Sequence, residues 1–116
     1  MNITLPTKSK ISLSSHVLDT TLGKPAANML LALNTPDGEV IQGQTDEDGR
    51  CKDWGDYTFI PGEYCLRFHT KSYLLDQHKS AFYPFVDVNF ELNQDGGHYH
   101  VPLLISPYGF SSYRGS

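Results

Sequence analysis

The chain has 116 residues and a formal charge of −4, from nine basic and thirteen acidic side chains. That length makes one domain able to bury about two-thirds of its unfolded surface, and the scattered cations of an acidic chain give no clustered face for nucleic acid. No apolar run approaches the roughly 18 residues of a membrane-spanning helix.

Residues 1–10 lack the uninterrupted apolar stretch of a signal peptide and read as a flexible lead-in to a single domain over residues 11–116. From Leu13 onward apolar residues mostly alternate with polar ones, the period of half-buried strands. In the first strand Leu13 and Val17 fall on one side, with Ser14, His16 and Leu18 on the other. Gly23-Lys24-Pro25 turns the chain into a strand over residues 28–34. Thr35-Pro36-Asp37-Gly38 then combines a proline that presets φ with a glycine free to take positive φ, a strong turn signal into a hairpin partner over residues 39–45. The acidic turn at residues 46–49 leads to Arg50 and a loop holding Trp54.

Pro61-Gly62 introduces a strand over residues 63–70 that points Tyr64, Leu66 and Phe68 inward. Residues 71–79 form the predicted helix. Val86, Val88, Phe90 and Leu92 alternate again, and the Gly-rich turn at residues 93–97 leads into a last long strand over residues 98–106. About seven or eight short strands with one short helix predict an all-β fold, an antiparallel β-sandwich that needs no cofactor to fold. Cys51 and Cys65 are too few for a disulfide framework. They read as free thiols of an intracellular protein, cytoplasmic or peroxisomal rather than secreted.

In the last strand Tyr99, Val101, Leu103 and Ile105 share one face, the core face; His98, His100, Pro102 and Leu104 share the other. His100 and His16 therefore point away from the core. One such histidine reads as a solvated residue; two of them beside exposed Leu18 and Leu104 point to a covered surface between subunits. Pro102 has no N–H for a ladder and suits an edge or irregular position. His98 and His100 lie two apart on a strand and with His16 have a spacing compatible with zinc. That spacing is unspecific and no further carboxylate or Cys-x-x-Cys cluster accompanies it, so no metal is expected. Arg50 reads either as a surface cation neutralising Asp46, Glu47 or Asp48, or as a guanidinium fork aimed at planar amide or enolate oxygens. The aromatic-rich end, Tyr113-Arg114-Gly115-Ser116, reads as docked rather than frayed. Ser116 lies in no Gly-x-Ser-x-Gly context, so a serine nucleophile is not expected.

Four segments in order, Ser14-Ser15-His16-Val17-Leu18-Asp19, Asp48-Gly49-Arg50, His98-Tyr99-His100-Val101-Pro102-Leu103-Leu104 and Tyr113-Arg114-Gly115-Ser116, resemble the transthyretin-like family, specifically its 5-hydroxyisourate hydrolases. The resemblance runs from Leu13 to Ser116, and no motif position is substituted. It implies the same β-sandwich and a homotetramer with its sites in a channel between dimers. It further implies metal-independent ring opening of 5-hydroxyisourate to 2-oxo-4-hydroxy-4-carboxy-5-ureidoimidazoline in urate degradation. On the same ground His16, Arg50, His100 and Ser116 are the expected catalytic residues, and Tyr113, Arg114 and Gly115 the expected substrate-binding ones. A His16–His100 pair would accept the proton of attacking water and Arg50 would stabilise the oxyanion. Arg114 would anchor the tail or contact substrate, and the Ser116 hydroxyl and terminal carboxylate would orient the water or a histidine. The alternative is a transthyretin-type carrier of a small aromatic ligand without catalysis. A purely structural sandwich leaves the off-core histidines unexplained.

Overall fold

The computed structural model describes residues 11–93 and 96–115; the expected lead-in over residues 1–10 and the expected catalytic Ser116 lie outside the described residues. In chain order the elements are β1 (Ile11–Asp19), β2 (Lys24–Pro25), β3 (Leu30–Asn34), β4 (Val40–Gln44), β5 (Arg50–Cys51), β6 (Gly62–Phe68), α1 (Thr70–His78), β7 (Val86–Leu92), β8 (Gly97–Ser106) and β9 (Gly109–Ser112). They form two sheets. One runs β2-β1-β8-β9 with β5 also paired to β1, and the other runs β4-β3-β6-β7. The β-sandwich expectation holds.

The alternation in the sequence becomes the core between the sheets. Leu13 and Val17 of β1, Tyr99, Val101, Leu103 and Ile105 of β8, and Tyr64, Leu66 and Phe68 of β6 are all buried. Each large apolar side chain removed from water in this way contributes about 1.5–3 kcal/mol. Ser15 and Asp19 are the polar exceptions on the inward face of β1, and the Ser15 hydroxyl donates to Val101 O at 2.7 Å, which ties β1 to β8. Trp54 is buried beside them, its indole N–H donating to Leu13 O at 2.8 Å, so the long loop after β5 is pinned against β1. Cys51 and Cys65 are free thiols. Among the described residues no helix is long and apolar enough to cross a membrane.

Three features depart from the strand-by-strand reading. Every other strand pair is antiparallel, but β1 and β8 pair in parallel, from Ile11↔Gly97 to Asp19↔Ile105. Such pairing joins segments far apart in sequence, and alternation alone carries no strand direction. Pro102 is buried in the middle of β8, a central strand with β1 on one side and β9 on the other, rather than at an edge. Its missing N–H falls where the β8–β9 ladder, which runs from Ser106↔Gly109 to Leu103↔Ser112, comes to a stop. Finally, β9 is a strand of its own, folded back on β8, and delivers the tail alongside it.

Candidate active site

The parallel β1–β8 register assembles the outward face. It sets Ser12 beside His98, Ser14 beside His100, His16 beside Pro102 and Leu18 beside Leu104. On the other flank of β1, antiparallel β5 sets Arg50 opposite His16. Laterally paired residues project to the same side of a sheet, so β5, β1 and β8 present Arg50, His16 and His100 on one surface. Leu18 and Leu104 lie side by side on that surface and are half-buried rather than exposed.

Arg50 follows a turn built by its own sequence. Asp46 Oδ1 accepts the backbone N–H groups of Asp48 and Arg50, both at 2.9 Å, and these bonds, the Arg50 N–H first, hold its carboxyl below the usual range. Gly49 closes the turn at φ +74 with its carbonyl accepting the Val17 N–H at 2.8 Å. A Cβ at Gly49 would run into Val17 O and lie 3.0 Å from Pro25 Cβ, so glycine is required there on both counts. With the Asp46 carboxylate occupied by backbone, Arg50 takes part in neither of the ion pairs among the described residues, Arg67–Asp87 and His78–Asp19.

The same turn fixes His16. Its Nε2 lies 2.8 Å from Asp48 O. A carbonyl only accepts, so the proton is on Nε2 and neutral His16 carries its lone pair on Nδ1. His100 Nδ1 lies 2.7 Å from Ser14 Oγ, which leaves Nε2 for other partners. Burial, followed by the charges of His16, Arg50 and His98, lowers the pKa of His100 from the ordinary 6.5. The ring is therefore held neutral, the form that can accept a proton.

Beyond Pro102 the tail returns to β8. Gly115 N–H donates to His100 O at 2.8 Å, in an isolated bridge between the two residues. A Cβ on Gly115 would stand 2.5 Å from His100 Cδ2, so only glycine lets the backbone pass over this imidazole. Arg114 turns to the opposite face of β8 and lies 4.7 Å over the Tyr99 ring, a cation–π contact that anchors the tail. Tyr113 is exposed. His100, Tyr113 and Arg114 border a cleft of about 290 Å³ between β7, β8 and the tail. A cleft of about 350 Å³ beside α1, lined by Lys24, Tyr73 and Asp76 among others, contains none of the expected site residues. Chemistry rather than volume selects the site.

The structure thus brings His16, Arg50, His100 and Gly115 together and sets Arg114 over Tyr99, on the cleft that His100 also borders. It adds members that the motif reading left unassigned: Ser14 Oγ also lies 2.8 Å from His98 Nε2, and Ser12 Oγ lies 2.7 Å from His98 Nδ1. Their signal was the alternation of Ser12, Ser14 and His16, which becomes informative only once β8 is known to run parallel beside β1. Both nitrogens of His98 are engaged by hydroxyls, and among the described residues no group of three or more His, Cys, Asp or Glu side chains is placed to hold a metal ion.

The model of the HIUase/transthyretin family matches residues 13–115. The chain belongs to this family. The 5-hydroxyisourate hydrolase of Mesorhizobium japonicum is 44% identical over 114 residues, which cover 90% of this chain and 91% of that protein. Among solved structures, Klebsiella pneumoniae 5-hydroxyisourate hydrolase matches with a TM-score of 0.82 at 30% identity, covering 91% of this chain and 99% of that one. Transthyretin from Sparus aurata matches with a TM-score of 0.79, also at 30% identity, covering 90% of this chain and 96% of that one. Within the HIUase/transthyretin family the fold alone does not divide hydrolase from transthyretin. Function is argued from the site that a fold carries rather than from the fold.

Proposed function

We propose that the protein is a metal-independent hydrolase that opens the ring of 5-hydroxyisourate to 2-oxo-4-hydroxy-4-carboxy-5-ureidoimidazoline in urate degradation. The observation that carries this reading is the placing of His16, Arg50 and His100 on one outward face, with His100 held neutral by burial and by cationic neighbours. Relatives named 5-hydroxyisourate hydrolase support it.

Water at neutral pH is a weak nucleophile and attacks an amide carbonyl only as a base takes its proton. Two lone pairs are available, Nδ1 of His16 and Nε2 of His100, and the two rings act as one unit. As the carbon–oxygen bond forms, the Arg50 guanidinium faces the carbonyl oxygen and stabilises its developing charge; one such donor contributes about 3 kcal/mol. Collapse of the tetrahedral intermediate breaks the carbon–nitrogen bond, and the departing nitrogen takes the proton held by the histidine pair. Gly115 lets the tail cover His100, Arg114 anchors it on Tyr99, Tyr113 borders the bound ring, and the Ser116 hydroxyl orients the water or a histidine. The Leu18–Leu104 pair continues the same face and is covered by further copies of the chain, so that a homotetramer encloses the sites. The free thiols Cys51 and Cys65 suit an intracellular setting.

The test generates 5-hydroxyisourate in situ from urate with urate oxidase and follows its absorbance with and without the protein. Accelerated decay that survives exhaustive EDTA treatment is expected. Binding without accelerated decay would replace the hydrolase with a carrier, and loss of activity on chelation with recovery on zinc would overturn the metal-free mechanism. Light scattering should give about four times the mass of one chain; a fully active monomer would remove the site from a subunit interface.

A further inference from the structure

Ser12, His98, Ser14 and His100 form one unbroken hydrogen-bonded chain along the outward face of β1 and β8. From the rim inward its links are 2.7 Å from Ser12 Oγ to His98 Nδ1, 2.8 Å from His98 Nε2 to Ser14 Oγ, and 2.7 Å from Ser14 Oγ to His100 Nδ1. Ser12 and His98 are exposed, whereas Ser14 and His100 are half-buried, so the chain runs from the reacting ring to water.

The hydroxyl of Ser14 has one proton and two imidazole neighbours, so it donates to one ring and accepts from the other. With both rings neutral, two arrangements satisfy every link. In the first, His100 Nδ1–H donates to Ser14, Ser14 O–H to His98 Nε2, and His98 Nδ1–H to Ser12, leaving a lone pair on His100 Nε2. In the second, Ser12 O–H donates to His98 Nδ1, His98 Nε2–H to Ser14, and Ser14 O–H to His100 Nδ1, with the His100 proton on Nε2. A proton that enters at His100 Nε2 and one that leaves at His98 Nδ1 convert the first arrangement into the second.

We infer that this chain is the proton exit of the site, with Ser14 and His98 as positioning residues that set the tautomer of His100 and carry its surplus proton to solvent. The inference rests on the proposed hydrolysis. Opening a cyclic amide with water yields a carboxylate and an N–H group, so one proton is released per turnover. The site takes one proton from attacking water and a second from the new carboxyl group, and returns one to the departing nitrogen. The remaining proton, on His100 Nε2, makes that ring an imidazolium. His100 Nδ1–H then passes to Ser14 Oγ as the Ser14 proton passes to His98 Nε2, and His98 releases its Nδ1 proton to water. After the product leaves, loss of the His100 Nε2 proton to water, uptake of one proton from water at His98 Nδ1 and the reverse shift along the chain restore the first arrangement, so that one proton in all is released per turnover. The direction is set by the surroundings of His100, which faces His16 of β1, Arg50 of β5 and His98 of its own strand, all cationic or able to become so, in a half-buried position. His98 faces water.

The experiment compares Ser14→Ala, Ser14→Thr and His98→Ala with the parent chain. Ser14→Ala and His98→Ala should each lose about tenfold or more in kcat with KM within about twofold. Ser14→Thr, which keeps the hydroxyl, should recover most of it, and added imidazole should restore His98→Ala. An active parent whose Ser14→Ala and His98→Ala variants keep full kcat and an unchanged pH profile would overturn the relay and leave the hydrolase standing. So would losses rescued by neither threonine nor imidazole. If the parent chain does not hydrolyse 5-hydroxyisourate at all, the proposed function falls. Nitrogen-15 spectra of the histidine rings, recorded without substrate, then decide the chain by themselves. Coupled tautomers of His98 and His100 that uncouple in Ser14→Ala support it, and ring shifts indifferent to Ser14→Ala remove it.

Discussion

β1 carries a histidine partner at each end, and the two ends differ in what the imidazoles are bonded to. At its C-terminal end Asp19 is fully buried. Its Oδ2 accepts from His78 Nε2 at 2.7 Å and from Tyr73 O–H at 2.8 Å, and its Oδ1 accepts the N–H groups of Thr21 and Leu22, both at 3.0 Å. Burial pushes the Asp19 carboxyl up, but the bonds from His78, Leu22 and Tyr73 more than offset it, so the group stays ionised. This cluster is closed: a fixed negative charge holds each proton in place and ties α1 to the sheet. Along the other end His16, His98 and His100 are bonded to a carbonyl and to hydroxyls, which hold a ring without fixing its charge. A histidine against a saturated carboxylate is a structural tie, whereas one against a hydroxyl keeps a proton that can move.

The contrast is sharpest in the expected response to substitution. Asp19→Ala leaves half-buried His78 and Tyr73 without their acceptor and should cost about 3 kcal/mol of stability, the low end for breaking a buried pair, because only the carboxylate is fully buried. Activity of the molecules that remain folded should change little, as seen by combining denaturant unfolding with active-site-normalised kcat. A catalytic collapse at unchanged stability would move Asp19 into the site. The sign of its pH dependence follows from the depressed carboxyl: the contribution is present above the ordinary carboxylate range and is lost as pH falls through the lowered value, so acid melts should loosen α1.

Arg50→Met should do the opposite, cutting kcat by about a hundredfold or more through loss of oxyanion stabilisation while thermal unfolding stays near the parent's. Gly115→Val should follow at about a hundredfold, because its side chain would displace the His100 ring and small misplacements are costly in catalysis. Deleting residues 113–116 should match it, with circular dichroism confirming a folded sandwich; a folded truncation with near-full activity would mean that the tail does not shape the site.

The smallest expected effect is on titration. The NMR midpoint of His100 should lie below its ordinary value of 6.5, and Arg50→Met should move it upward, since one of the charges that disfavour the imidazolium is removed. The acid limb of kcat/KM should sit correspondingly low, because the neutral ring is the active form. A midpoint unmoved by Arg50→Met would separate the two residues.

One side of this contrast was legible in the sequence; the Asp19–His78 cluster, which joins residues far apart in the chain, was not. Alternation placed Tyr99, Val101, Leu103 and Ile105 in the core and His16 and His100 off it, and helix residues 71–79 fall within one residue of α1 at each end. The turn at residues 46–49 pointed to Arg50, whose antiparallel pairing with His16 the structure supplies. What was not legible depends on pairing across the chain. The parallel β1–β8 register, which puts Ser14 between two imidazoles, joins residues 86 positions apart in the Ser14–His100 link. Pro102 read as an edge residue because its missing N–H was visible and the tail that stops pairing opposite it was not. Arg114 reads in sequence as anchoring the tail or contacting substrate; the bridge at Gly115 leaves it over Tyr99, where it anchors the tail on the cleft that His100 also borders.

The central claim, that His16 and His100 on the β1–β8 face share a single catalytic step, is tested most directly by a double-mutant cycle in kcat for 5-hydroxyisourate decay. His16→Ala, His100→Ala and the double variant should fall to similarly low values, since groups that act as a unit are strongly non-additive. Two single losses that simply multiply in the double variant would contradict the shared step and assign the histidines to separate tasks.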